Sequence, residues 1–175
     1  MVVKFIITYG NHRILGRWLQ VPNLYKLAGA PLVGARSKAG TRTMKYSGSC
    51  LCKKVTFELE GHLSGFFLCH CSRCRKATGS AHGANLFSKT ATFRWVSGKE
   101  HAKTFRLEGT RFARTFCDVC GSALPTVEEN VRIVVPAGSV DCDVDRRPDA
   151  HIFMSSKANW DKDFEQVAKF EGLPR

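Results

Sequence analysis

The sequence predicts a mainly β domain with short helices, stapled together by metal-bound thiolates. Three observations carry this expectation. Short apolar-alternating runs recur between turn signals along the last three quarters of the chain. Seven of the eight cysteines fall into groups at metal-ligand spacing. Helical periodicity is confined to two short stretches.

From Met44 onward the strand candidates are KYSGSC, KVTFELE, GFFLC, ATFRWV, KTFRL, RTFC, VRIVVPAG and HIFMSS. In KVTFELE, for example, Phe57 and Leu59 alternate with Glu58 and Glu60, the pattern of a strand with one buried face. Turns are signalled by Ser-Gly at 47–48 and 97–98, by Glu-Gly at 60–61 and 108–109, and by the acidic DCDVDRRPD stretch. SRCRKATG reads as a single helical turn. DKDFEQVAKF, near the C-terminus, is the one plausible amphipathic helix, with Phe164, Val167 and Phe170 on one side.

Composition narrows the class. A chain of 175 residues, 43% hydrophobic and 24% charged, has the profile of a soluble globular protein with one substantial core. No apolar run approaches the ~20 residues that span a bilayer, so no membrane partner is expected. The opening MVVKFIITYGNHR has too short an apolar stretch for a secretory signal. Clustered cysteines in such a chain indicate metal ligation in a reducing cytoplasm rather than disulfides.

The formal net charge of +12 is unevenly spread. Residues 1–43 carry Lys4, Arg13, Arg17, Lys26, Arg36, Lys38 and Arg42 with no Asp or Glu. The sequence thus divides into a basic, poorly ordered N-terminal extension, 1–43, ending in GARSKAGTRT, and a zinc-binding domain, 44–175. The extension has three readings: a basic arm for phosphate-bearing partners, an organelle-targeting segment, or a loose leader preceding a start at Met44. Nucleic acid is a candidate partner through residues 1–43 alone.

The cysteines carry the chemistry. In CDVCGS, Cys117 and Cys120 form C-x-x-C, followed by Gly121, which lets the chain curl so that backbone N–H groups face the sulfurs. One such pair needs a second, and Cys50 with Cys52, a C-x-C, supplies it. Four thiolates around one zinc make a closed structural site. Cys69, Cys71 and Cys74 form C-x-C-x-x-C. Three ligands with a vertex left over are the pattern of a reactive zinc. His70 lies between two of these cysteines and is expected to point away, in a supporting role. Cys142, between Asp141 and Asp143, is disfavoured as a thiolate by its neighbours and reads as a free thiol without a required role.

GSCLC, CHCSRCRKATGS, RTFCDVCGSALP, VVPAGSVD and HIFMSSKANW, in this order and spacing, resemble the glutathione-dependent formaldehyde-activating enzyme family, which also contains centromere protein V. The resemblance runs from about Tyr46 to the C-terminus. It implies a β-tent fold and two zinc ions per chain. The structural zinc would be held by Cys50, Cys52, Cys117 and Cys120, and the catalytic zinc by Cys69, Cys71 and Cys74. It also implies a carbon–sulfur lyase acting on a thiol adduct, with glutathione and formaldehyde giving S-hydroxymethylglutathione. One departure is Lys53, which stands where the family usually has Gly after its first C-x-C.

A small acidic thiol needs cations near the reactive centre. Arg73, Arg75 and Lys76 follow the triplet, and Lys157 with Trp160 forms a further cationic and stacking candidate, although Trp160 fits core packing better. Two other classes compete with the enzyme. One is a non-catalytic binding module stapled by two zincs, using its basic leader on nucleic acid or cytoskeleton. The other is a thiol–disulfide exchanger working through a metal-free Cys117–Cys120 pair.

Overall fold

The computed structural model describes residues 43–128 and 130–174, together with the backbone of Ile6–Tyr9 and His12–Leu15. The chain forms two compact units, Met1–Gly40 and Thr41–Arg175. In the first, β1 (Ile6–Tyr9) pairs antiparallel with β2 (His12–Leu15), Ile6 opposite Leu15. The rest of the expected basic leader, including GARSKAGTRT, lies outside the described residues except for Thr43.

The second unit is mainly β, built from three small sheets. In the first sheet β3 (Met44–Ser49), β4 (Thr56–Gly61) and β7 (Thr92–Ser97) pair antiparallel in that order. The alternation in β4 acts as expected: Phe57 and Leu59 are buried, while Glu58 faces out and pairs with Lys45 and Arg94 at 3.2 and 2.6 Å. Phe57 stacks on Phe93 and meets Trp95 edge-on. Gly48 crosses the Phe57 ring so closely that a Cβ there would run into the ring and the Ser139 carbonyl. Only glycine lets the two surfaces meet.

The five-stranded sheet comprises β5 (Gly65–Cys69), β6 (Gly83–Ser88), β11 (Thr126–Glu128), β12 (Arg132–Pro136) and β13 (Ala150–Ile152). Its order is β11-β12-β6-β5-β13, and β13 joins parallel to β5 with Ile152 opposite Cys69. The third sheet is β8 (Ala102–Arg106), β9 (Ala113–Cys117) and β10 (Ala123–Leu124). Tyr46, Val55, Phe57, Leu59, Leu63, Leu86, Leu124 and Val135 make one core that also includes Cys50 and Cys117. Each large apolar side chain so buried contributes about 1.5–3 kcal/mol.

Five expectations are corrected. The turn signalled at Ser47–Gly48 is absent, because both residues lie inside β3, where they pair with Glu58 and Phe57. The SRCRKATG helix is longer than one turn: α1 spans Ser72–Thr78, opened by the Cys71 side chain accepting from the Cys74 N–H and closed by Gly79 at φ 63. DKDFEQVAKF does not form a helix. Asp163 takes a left-handed φ of 48, and only a 3-10 turn, Phe164–Gln166, follows. Phe164, Val167 and Phe170 stay exposed, so the apolar stripe has no surface against which to bury, and a short helix without tertiary support is marginal. HIFMSS is a strand only to Ile152, because Phe153 turns the chain at φ 58. VRIVVPAG ends its strand at Pro136, where a 3-10 turn begins.

Candidate metal centres and the adjoining cleft

The first cysteine group joins two tight turns. Cys50 and Cys52 sit in the turn from β3 to β4, where the Lys53 N–H donates to the Cys50 carbonyl at 2.9 Å. Cys117 ends β9, and Cys120 lies in the turn to β10. Gly121 adopts φ 72 and donates its N–H to the Cys117 carbonyl at 2.8 Å, the curl anticipated from sequence. The Leu51 N–H donates to the Ser122 hydroxyl at 3.0 Å, locking one turn against the other. All four sulfurs lie within 4.8 Å of one another.

These distances suit a tetrahedral metal. Zinc–sulfur bonds of about 2.3 Å would set the sulfurs about 3.8 Å apart, and Cys50–Cys52 and Cys52–Cys117 measure 3.5 and 4.0 Å. Four thiols this close resist joint ionisation. The Lys54 backbone N–H favours the Cys52 thiolate, but burial and the sulfurs of Cys50, Cys120 and Cys117 push its pKa up to about 11. The hydroxyl and N–H of Ser122 pull Cys120 down to about 5. A divalent cation at the centre relieves that conflict by stabilising every thiolate at once.

The second group is built around the start of α1. Cys69 ends β5 and is buried, Cys71 caps the helix, and Cys74 lies in its first turn. Their sulfurs also lie within 4.8 Å of one another, and no fourth Cys, His or acid joins them among the described residues. Burial pushes the Cys69 and Cys74 thiols up. Burial opposes ionisation of Cys71 too, but the Cys74 and Arg73 N–H groups and the two neighbouring thiols outweigh it and lower its pKa. Thus the Cys71 thiol is the easiest of the three to ionise, and burial opposes ionisation of the other two.

His70, between two members of the group, is engaged elsewhere. It is 2% exposed, with Nδ1 at 2.7 Å from Asp161 Oδ2 and Nε2 at 2.8 Å from His151 Nδ1. Its N–H donates to the Ile152 carbonyl at 3.0 Å, so backbone and side chain both pin the cysteine loop to β13. This fits the supporting role expected for it. Cys142 belongs to neither group, and its sulfur lies 3.9 Å from the Ser47 carbonyl.

The three-sulfur group opens onto a cleft of about 420 Å³. Arg73, Arg111 and Arg132 line it together with Asn85, and Phe67, Phe87, Phe112 and Phe153 form its apolar walls. Glu128 engages Arg132 through both carboxylate oxygens at 3.0 and 3.3 Å. Arg73 and Arg111 make no ion pair among the described residues. A larger hollow of about 650 Å³ borders Lys53, Thr78 and Arg114, but the one sulfur lining it is Cys50, of the four-membered group.

The model of the glutathione-dependent formaldehyde-activating enzyme family matches residues 45–156. This chain belongs to that family. Both cysteine groups lie inside the matched segment, and Asp161, which holds His70, lies just beyond it. A Halomonas elongata protein, provisionally named a glutathione-dependent formaldehyde-activating enzyme, is 33% identical over 141 residues, covering 75% of this chain and 90% of the relative. The crystal structure of a Rhodobacter sphaeroides protein aligns with 60% of this chain and 98% of its own at a TM-score of 0.44 and 21% identity.

Of the cations expected near the triplet, Arg73 lines the cleft, whereas Arg75, Lys76 and Lys157 do not. Trp160 is 59% exposed and lies tilted beside Phe164 rather than packing into the core. Its segment failed to become a docked helix, so no core formed beneath the ring. Arg111, Phe112 and Phe153 escaped sequence reasoning. They arrive from the β8–β9 turn and from the end of β13, and no spacing relative to the cysteines betrays them.

Lys53 takes φ 58 in the turn from β3 to β4, directly after the first two cysteines. This left-handed conformation suits glycine, so lysine fits the same turn at a cost of about 1–2 kcal/mol.

Proposed function

We propose that this family member is a zinc-dependent carbon–sulfur lyase that interconverts a thiol plus an aldehyde with their adduct, glutathione plus formaldehyde giving S-hydroxymethylglutathione. The observation that carries the reading is the difference in ligand number. Cys50, Cys52, Cys117 and Cys120 supply four sulfurs and would close a structural zinc. Cys69, Cys71 and Cys74 supply three, on the wall of a cleft whose Arg73 and Arg111 form no ion pair among the described residues. Zinc held by Cys69, Cys71 and Cys74 would supply a Lewis acid that lowers the pKa of an incoming thiol and keeps it nucleophilic at neutral pH.

The chain's own residues do the rest. Arg73 and Arg111 offer charge-assisted hydrogen bonds to the carboxylates of an acidic tripeptide. Glu128 fixes Arg132 in one orientation and cancels its charge, which leaves the other two arginines to choose the ligand. His70 holds the cysteine loop at a set distance from β13, so that the ligating sulfurs are placed before substrate arrives. The phenyl walls limit water around the reacting carbon. A cytoplasmic setting, rich in small thiols and reducing, suits eight free cysteines.

The reading is tested by the exchange of formaldehyde with S-hydroxymethylglutathione, followed by magnetisation-transfer NMR. Zinc-loaded protein should accelerate exchange above the spontaneous rate, and Cys71→Ser should not. Equal rates with and without the loaded protein would refute the activity.

A further inference from the structure

We propose that the cleft beside Cys69, Cys71 and Cys74 is shaped for a carbonyl partner bearing an apolar, ring-sized group, an aromatic aldehyde rather than formaldehyde alone. The proposal deepens the thiol-adduct reading above and rests on it.

The starting point is a mismatch of surfaces. Formaldehyde adds one carbon to sulfur, and the tripeptide glutathione carries no ring. Yet four phenyl rings border the same cleft as the three sulfurs. Phe67 on β5 and Phe87 on β6 lie 5.8 Å apart between centroids with their planes tilted by 60°, two adjoining apolar surfaces of the cleft. Phe112 enters from the start of β9, and Phe153 stands at the cleft beyond β13. Apolar walls with a few placed polar groups are the usual make-up of a small-molecule site, and 420 Å³ lies within the usual range of volumes.

Phe153 is the most informative of the four. Its φ of 58 is unfavourable for a bulky side chain, and glycine or asparagine would adopt it more cheaply. That cost is not offset by core packing, because the residue is 59% exposed. Its location is nevertheless tightly set. Ile152 pairs with Cys69, and the Ile152 carbonyl accepts the His70 N–H, so the ring follows directly from the strand that braces the cysteine loop. A strained, exposed aromatic residue held on the same cleft as the three sulfurs is accounted for by a ligand ring that covers it.

The polar side of the cleft completes the substrate class. Arg73 and Arg111 suit carboxylates on the thiol partner, while the rings suit the group carried by the carbonyl carbon. In the step itself, the thiol gives up its proton and its sulfur attacks the carbonyl carbon. A carbon–sulfur bond forms, the C=O π pair moves to oxygen, and that oxygen takes up a proton. The product is a thiohemiacetal, and no oxidant or reductant is consumed.

The test uses the full chain loaded with cobalt. Glutathione is titrated first, and thiolate-to-cobalt charge-transfer bands report on the thiol reading alone. Calorimetry then compares S-benzylglutathione, a stable mimic of the benzaldehyde adduct, with S-methylglutathione. The expected result is at least tenfold tighter binding of the benzyl compound, reduced to less than threefold in Phe153→Ala and in Phe112→Ala, with the cobalt spectra of both variants intact. If glutathione produces its bands but the two S-substituted compounds bind alike, the aromatic proposal is overturned and the thiol reading stands. A benzyl preference that survives both substitutions also overturns it, by placing the ring elsewhere. Absence of glutathione bands overturns both readings together.

Discussion

On the proposed reading, the two cysteine groups use the same ligand chemistry for different ends. The Cys50–Cys52 and Cys117–Cys120 turns meet from different sheets, with Cys50 and Cys117 sealed in the core. A metal there joins segments 65 residues apart and leaves no vertex for a substrate. Cys69, Cys71 and Cys74 come from one short loop, so a metal held by them staples nothing distant. Its value lies in the cleft it faces. The comparison teaches that ligand origin, as well as ligand number, separates a staple from a reaction centre.

The largest expected effect falls on the staple. Structural zinc binding contributes an apparent ~10–16 kcal/mol to folding in small metal domains, comparable to the whole stability of a typical domain. Cys117→Ser should therefore lower the melting temperature by more than about 10 °C or abolish a cooperative melt. Cys71→Ser should melt close to wild type and lose accelerated adduct exchange. Differential scanning calorimetry of the two variants checks the ranking, and the reverse order would exchange the roles of the two groups.

Next in size is substrate capture. Removing one charge-assisted hydrogen bond costs about 1.5–3 kcal/mol. Arg111→Ala or Arg73→Ala should thus raise KM for glutathione about tenfold or more with a smaller change in kcat. Arg75→Ala, away from the cleft, should leave KM unchanged. Steady-state kinetics on the three variants sharpens the contrast between cations that line the cleft and one that does not.

Much of the staple was legible in the sequence, because C-x-C and C-x-x-C spacings are local and Gly121 announces its turn. The triplet was equally plain. The cleft was not, since Arg111, Phe112 and Phe153 meet only after β5, β6, β9 and β13 assemble. The failed helix at DKDFEQVAKF shows the limit of periodicity: the stripe of Phe164, Val167 and Phe170 is present, but the fold offers it no facing surface. The strands β10 and β11 are too short for alternation to reveal them, and ladder hydrogen bonds to β9 and β12 define them instead.

Smaller effects refine the picture. Lys53→Gly should relieve the left-handed strain in the staple's first turn. Offset by glycine's greater backbone entropy, the net gain is about 0.5–1 kcal/mol, seen as a melting temperature a few degrees higher. A chain beginning at Met44 should show no change in metal content or adduct exchange, since every ligand lies downstream. Metal analysis and the NMR assay check this. If truncation removes only salt-sensitive nucleic-acid binding, residues 1–43 carry a separate binding role.

The most direct test of the central claim is a glutathione titration of protein loaded with two cobalt ions per chain. The glutathione-induced increase in charge-transfer absorption should saturate at one thiolate per chain, should weaken as pH falls because a proton competes for the sulfur, and should be absent in Cys71→Ser. S-methylglutathione should not reproduce it. A fully loaded protein whose spectrum ignores glutathione, or whose response persists in Cys71→Ser, would contradict the division into one closed group and one open group.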